Sequence, residues 1–172
     1  MKHTMFIVPY WQYSLKHWPE IKKKTKLILK QYPCKLSKSQ NFLSNRTEPR
    51  SGFLQEMVKI LADPLNEFAQ EVKYNLQIKV AWATSYKKGM DHILHSHSKC
   101  LFTGILYVDF DPRLHQATTF KQPFNQFDSG NVCFTFPKVK EGDMLLCPSN
   151  IEHYGPVNTS TTIKTIIGFD LY

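Results

Sequence analysis

The chain has 172 residues, 42% of them hydrophobic and 13% aromatic, with a formal net charge of +8. That length suits one domain, residues 1–172, rather than two, and the apolar content is above what a disordered chain carries. No run approaches the roughly 18 apolar residues of a membrane-spanning helix, so the expectation is a soluble protein of the cytoplasm without a membrane partner.

A short strand is expected at Met5 to Val8, in an N-terminus that Pro9 interrupts and that shows no long apolar core or cleavage site of an export signal. Helical periodicity follows over Leu15 to Gln31. It gathers Lys16, Lys22, Lys23, Lys24, Lys26 and Lys30. No aromatic-basic platform or nucleic-acid motif accompanies them, so they read as a solvated helix face rather than a nucleic-acid surface. The polar stretch KLSKSQNFLSNRTEPRSG is too rich in turn formers for regular structure. From Phe53, the apolar residues Met57, Ile60 and Leu61 recur at helical spacing. Asp63-Pro64 then reads as an N-cap with proline at the first helical position, restarting a helix on Leu65, Phe68 and Val72.

Near residue 75 the period becomes two: Leu76, Ile78, Val80 and Trp82 point one way, and Gln77, Lys79, Ala81 and Ala83 the other. After the turn YKKGMD, further strands are predicted at Ile93 to His97, Leu101 to Phe110, Val132 to Phe136, Met144 to Cys147 and Ile163 to Leu171. Turns such as DSGN and KEGD separate them. A helical support region over 1–75 and strands over 76–172 predict an α+β, mainly β, fold with helices on one outer face of a sandwich or barrel.

Cys34, Cys100, Cys133 and Cys147 form no CxxC, so neither a zinc ribbon nor a redox pair is signalled, and reduced thiols are expected. The histidines are more informative. Four of the seven, His92, His95, His97 and His115, fall close together. In HSH, His95 and His97 are separated by one residue on a predicted strand, so both imidazoles project from one face and can converge on an ion. Ile93 shares that face and His92 does not. An HxH pair alone is more often a pair of hydrogen-bonded histidines. A third ligand has to come from a distant segment, and His153, in a loop between Pro148 and Pro156, is best placed. Three ligands on one side of a metal leave positions open for O2 and a chelating co-substrate. His115, in DPRLHQATTF, reads as a loop residue, and Trp82 as core packing. Lys164 alternates with Ile163 and Thr165, and an inward lysine needs an anion to offset its burial.

The segments SNRTEPRSG, WATSYKKGMDHILHSHSKCLFTGILYVDF, EGDMLLCPSNIEHYGPVN and IKTIIGFDLY resemble the 2-oxoglutarate-Fe(II) oxygenases with an HxH motif, found in bacteria and phages within the prolyl-hydroxylase-like superfamily. The resemblance covers nearly the whole chain. It implies a double-stranded β-helix (jelly-roll, cupin-like) core with iron between two sheets, and a dioxygenase with Fe(II), 2-oxoglutarate and O2. The enzyme it implies couples oxidative decarboxylation of 2-oxoglutarate to C–H oxidation, as a hydroxylase does. On the matching positions, His95, His97 and His153 are the implied metal ligands. Lys164 stands where arginine is usual, Tyr107 assists it at the far carboxylate of 2-oxoglutarate, and Tyr86 lines the co-substrate pocket. His97 occupies a slot that usually holds an acid, and Asp91 is an alternative source of that carboxylate. Two other functions fit the residues: a three-histidine cupin-like iron dioxygenase without 2-oxoglutarate, and a non-catalytic metal-binding or phage structural module. The substrate, whether a peptide, an amino acid or another small molecule, is not legible, nor is the oligomeric state.

Overall fold

The computed structural model describes residues 7–46, 51–97 and 99–172. Along these the chain forms β1 (Trp11–Ser14), α1 (Trp18–Gln31), β2 (Lys35–Leu36), β3 (Leu43–Ser44), α2 (Ser51–Val72), β4 (Ile78–Tyr86), β5 (His92–His95) and β6 (Phe102–Asp109). It continues through β7 (Thr119–Lys121), β8 (Phe134–Thr135), β9 (Asp143–Pro148), β10 (His153–Gly155) and β11 (Lys164–Leu171). The α+β, mainly β, expectation is met.

Helix α1 starts with Pro19 and Glu20 in its first turn, where a missing donor and a negative charge both suit the helix dipole, and ends before Pro33. Three of its lysines are engaged within the chain: Lys22 with Glu141 at 2.7 Å, Lys24 with Glu56 at 3.6 Å and Lys26 with Asp109 at 2.8 Å. Much of the basic stripe therefore faces acids of its own fold.

Three expectations need correction here. Of the strand expected at Met5 to Val8, Met5 and Phe6 lie outside the described residues, while Ile7 and Val8 are in no strand. The first strand is β1, whose Trp11 indole and Tyr13 hydroxyl donate to the Glu71 carboxylate of α2 at 2.7 and 2.8 Å. Second, the break expected at Asp63-Pro64 does not occur, and α2 runs through Pro64. An interior proline costs about 3 kcal/mol, but Phe53, Met57, Leu61 and Phe68 are fully buried on both sides of it. At about 1.5–3 kcal/mol for each such side chain, their burial decides the matter. Third, β2 and β3 form within the stretch expected to be irregular, with β3 pairing against β4 through Ser44 and Thr84.

A sheet of seven strands, in the order β1-β9-β6-β11-β4-β3-β2, is faced by one of four strands, β5-β10-β7-β8. Alternation along the central strands builds two cores. Ala81, Ala83, Leu106, Val108, Ile167 and Phe169 pack with Phe53, Met57 and Phe68 of α2 on the outer face. Tyr86, Ile105, Tyr107 and Ile166 pack with Phe120 between the sheets. The expected face of β4 is also corrected: Leu76 and Ile78 pack with the helix-side core, whereas Trp82 lines the space between the sheets. The register shifts where Asp170 and Leu171 oppose Val80 and Ile78, and this bulge switches the face.

Candidate metal centre

The four-stranded sheet carries His95 and His153 on neighbouring strands, facing the space between the sheets. His95 ends β5 and pairs with His153 on β10, so the third histidine sits on a strand rather than in the expected loop. His97 lies just beyond β5, where its backbone N–H donates to the Ser149 carbonyl at 2.8 Å. Each of the three offers a ring nitrogen, and these atoms lie within 4.8 Å of one another.

Hydrogen bonding aims them. His95 Nδ1–H donates to the Ile93 carbonyl at 2.8 Å, His153 Nδ1–H to the Ile151 carbonyl at 3.0 Å, and His97 Nδ1–H to Asp170 Oδ1 at 2.7 Å. With every Nδ1 tied to an oxygen, each ring keeps its Nε2 lone pair for an acceptor in the centre, and this is the form a metal takes. Burial holds the His153 imidazole down to about 3, with His95 nearby adding to it, and burial also lowers His95. Both rings are therefore neutral at physiological pH.

His92 differs from the expectation. Its ring stacks on His95 with centroids 3.9 Å apart, while Ile93 is 62% exposed. The pairing shifts register between His153 and Gly155, opposite His95 and His92, and this bulge brings the two histidines to one side. Burial, with the neighbouring histidines, depresses His92 to about 3. Asp91 is not brought into the cluster: its carboxylate accepts from Asn41 Nδ2 at 2.7 Å and fastens the β2–β3 loop to β5. His115 is a loop fastener, accepting from the Asp111 N–H at 3.1 Å and donating to Thr162 Oγ1 at 2.9 Å.

Lys164 begins β11 and points inward, 2% exposed. Its ammonium lies 4.4 Å from the Tyr86 ring centroid and donates to the Gln116 carbonyl at 3.2 Å. Among the described residues it has no acidic partner, and burial lowers it to about 8. Tyr107 is fully buried, its hydroxyl accepting from the Thr118 N–H at 3.0 Å, and burial pushes it up to about 12. A cavity of about 30 Å³ lies between His95, His97 and His153 on one side and Tyr86 and Thr118 on the other; Tyr86 in turn touches Lys164 and Thr118 touches Tyr107. Glycine at 155 allows the approach of Tyr86, since a Cβ there would lie 3.0 Å from its hydroxyl. Outside the histidines a groove of about 830 Å³ opens, lined in part by Leu36, Phe42, Arg46, Trp82 and His97.

Residues 80–170 match the family model described as "Putative 2OG-Fe(II) oxygenase", which is more than half of the chain. The chain belongs to that family. The 2OG-Fe(II) oxygenase family is one of 2-oxoglutarate-dependent non-haem iron enzymes, and its cofactors are Fe(II), 2-oxoglutarate and O2. No curated protein matches the oxygenase by sequence. Solved structures match its fold. HygX from Streptomyces hygroscopicus, with nickel, 2-oxoglutarate and hygromycin B bound, superposes with a TM-score of 0.72 at 11% identity, over 95% of this chain and 82% of that one. The viral collagen prolyl hydroxylase vCPH from Paramecium Bursaria Chlorella virus-1, a 2OG complex, gives 0.64 at 16% identity over 94% of each chain. A Pseudomonas putida prolyl-4-hydroxylase gives 0.67 at 9% identity, over 95% of this chain and 92% of that one. The two facing sheets of the oxygenase are thus the double-stranded β-helix of these neighbours.

Sequence reasoning missed Asp170, Arg46 and the place of Trp82. The Trp82 ring stacks on His97 at 5.5 Å and 18°, Arg46 lies 3.8 Å over the Trp82 ring, and its guanidinium is 3.9 Å from Asp170 Oδ2. Asp170 had a signal: it shares strand parity with Lys164, so an inward lysine implies an inward aspartate.

Proposed function

We propose that the protein is a hydroxylase that holds Fe(II) through the Nε2 atoms of His95, His97 and His153 and anchors the far carboxylate of 2-oxoglutarate on Lys164 and Tyr107. The observation that carries this reading is the pairing of a histidine cluster, whose Nδ1 atoms are all engaged, with a buried ammonium that has no acid beside it among the described residues. Fe(II) is a fitting occupant of the cluster, because three nitrogen donors on one side leave coordination positions open. Lys164 fits a carboxylate equally well. Among the described residues one of its three donors is used, and the Tyr107 hydroxyl, already accepting from Thr118, keeps its own proton to donate. Bound there, iron with 2-oxoglutarate and O2 supplies an oxidative decarboxylation coupled to C–H oxidation.

The residues of the chain bind and orient. Lys164 supplies a point charge in a water-poor space, where it acts far more strongly than in water. Tyr107 gives direction that lysine lacks. Tyr86 closes the pocket: the cavity of about 30 Å³ has room for roughly one water molecule. The Tyr86 ring therefore has to leave the Lys164 ammonium when a carboxylate takes its place. The substrate C–H is presented from the 830 Å³ groove, whose size suits a small molecule or a short peptide segment. We place the whole of residues 1–172 in one catalytic domain, because the helices share a core with the larger sheet. We place the protein in the cytoplasm, where its free thiols stay reduced; no described helix is long and apolar enough to cross a membrane.

Anaerobic protein with Mn(II) in place of iron is expected to bind 2-oxoglutarate by calorimetry, and Lys164→Ala to weaken that binding at least about 30-fold, the loss of a charge-assisted contact worth roughly 2 kcal/mol. Equal affinity in the variant would leave the three-histidine dioxygenase without 2-oxoglutarate as the better reading. Succinate release with Fe(II) and O2 is the second measurement, and its absence with every candidate peptide and small molecule would count against hydroxylase activity.

A further inference from the structure

An acid usually supplies one negative charge to a facial iron site, and no carboxylate joins the three histidines among the described residues. One carboxylate nevertheless reaches the cluster from behind. Asp170 is buried on β11, and its Oδ1 accepts from His97 Nδ1–H at 2.7 Å, with both side chains 7% exposed. The other two histidines donate to neutral backbone carbonyls. This asymmetry falls on the residue that stands in the acid's place.

We propose that Asp170 is the positioning residue of the metal centre, fixing the His97 ring through Nδ1 and restoring, one hydrogen bond further out, the negative charge that a carboxylate ligand would bring. The inference rests on the reading of His95, His97 and His153 as metal ligands.

The surroundings show a carboxylate held for a purpose. The Thr103 hydroxyl lies 3.3 Å from both Asp170 Oδ1 and the Phe169 carbonyl and shares its one proton between them, and Arg46 approaches Oδ2 at 3.9 Å. Oδ1 is thus aimed at the imidazole while the other oxygen meets the guanidinium. Trp82 covers the flat side of His97, so the ring can neither flip nor swing without losing both contacts. Glycine at 168 makes that stacking possible, since a Cβ there would come within 2.6 Å of the indole. A carboxylate hydrogen-bonded to a ligating imidazole raises its basicity and fixes its tautomer, and removing such a partner costs about 10–100-fold in metal affinity. The pairing also locates the charge. A directly bound acid would take a coordination position with a hard oxygen, whereas His97 with Asp170 presents nitrogen and keeps the carboxylate off the metal. A dianionic co-substrate then meets less repulsion at its point of chelation.

Co(II), which tolerates air, is the probe. Wild-type protein is expected to bind one Co(II) and to show three hyperfine-shifted, exchangeable imidazole N–H protons by NMR. One of them, from His97, should stand apart from the two bonded to carbonyls. In Asp170→Asn the Co(II) dissociation constant should rise about 10–100-fold, with that one resonance displaced and the other two unmoved. In His97→Asp, which places an acid in the coordination position and leaves no imidazole to steer, adding Asp170→Asn should change Co(II) affinity less than about threefold. A structural role through Arg46 alone would move unfolding temperature but neither the single resonance nor this coupling. Unchanged affinity and an unmoved resonance in Asp170→Asn overturn the inference while leaving the three-histidine site standing. If the aspartate variant does not fold, the wild-type spectrum decides, and three equivalent N–H signals overturn it. Failure of wild-type protein to bind Co(II) overturns the metal-centre reading itself, and the inference with it.

Discussion

Lys164 carries a charge into the protein that its contacts with Gln116 and Tyr86 repay only in part, and Lys164→Met should expose this. The drop from 10.5 to about 8 corresponds to roughly 3 kcal/mol of penalty on the charged form, at about 1.4 kcal/mol per tenfold change. Methionine fills a similar volume without charge. It also leaves the Gln116 carbonyl without its 3.2 Å partner, which costs about 1 kcal/mol, and gives up the ammonium's contact with the Tyr86 ring, worth about 1 kcal/mol. The net gain expected at pH 7 is about 1 kcal/mol, equivalent to roughly 2–4 °C in Tm for a chain of this size. The sign of the pH dependence follows from proton counts. Between about 8 and 10.5 the unfolded lysine holds its proton and the folded one does not, so wild-type stability rises with pH across that window. The advantage of methionine is full below pH 8 and gone above 10.5. Binding works in the opposite sense. A dianion needs the protonated amine, so 2-oxoglutarate affinity in the wild type should fall about tenfold per pH unit above pH 8, while the methionine variant binds weakly throughout. Thermal unfolding at pH 7 and pH 10, with calorimetric 2-oxoglutarate titrations of the Mn(II) protein at both, supplies the data. A variant that is less stable at pH 7, or more stable by the same amount at both pH values, would refute the assignment of a buried, unpaired ammonium.

Other substitutions test separate parts of the structure. His153→Ala removes the most buried of the three imidazoles, and Co(II) titration should show stoichiometric binding lost while the apo protein keeps its circular dichroism. Gly168→Ala places a methyl within 2.6 Å of the Trp82 ring; a loss of about 1–3 kcal/mol is expected from the forced shift, read by urea unfolding, with weakened Co(II) binding because the ring no longer supports His97. Pro64→Ala restores a backbone donor inside α2 and relieves a ring crowding the preceding turn. Its unfolding free energy should increase by about 1–3 kcal/mol, and its 2-oxoglutarate affinity should match the wild type.

The strand half of the fold was legible because residues such as Ile105, Leu106, Tyr107 and Val108 alternate between two buried faces and leave a continuous apolar run. Counting by twos failed at the bulges. It put Ile78 with Trp82 and separated His92 from His95, and a bulge is set by pairing to another strand, which local sequence does not contain. The three-residue strands β7 and β10 are too short to show a period. Pro64 misled for the opposite reason: its local signal was clear, and long-range burial of Phe53 and Phe68 overrode it. His95, His97 and His153 were readable as candidates because histidine is rare and their spacing is distinctive. Arg46 was not, since its place over Trp82 depends on β3 pairing with β4.

Strand β11 ties these features to the fold. Its inward row is Lys164, Ile166, Gly168 and Asp170, and its outward row includes Ile167 and Phe169 in the helix-side core. At about 3.3 Å per residue the two charges stand roughly 20 Å apart along one strand. Lysine lies at the end proposed to take the anion, and aspartate at the end that holds His97. The small and apolar residues between them leave the space that Tyr86 and Trp82 occupy. A slip of one residue in the pairing of β11 with β4 and β6 would turn both charges into the core packed by α2 and turn Ile167 and Phe169 toward the cavity. Each unpaired charge in that apolar layer would cost several kcal/mol, so the hydrophobic outward row and the charged inward row select the same register. The packing that fixes the sheet is therefore also what sets Asp170 against His97 and Lys164 at the other end of the same inward row.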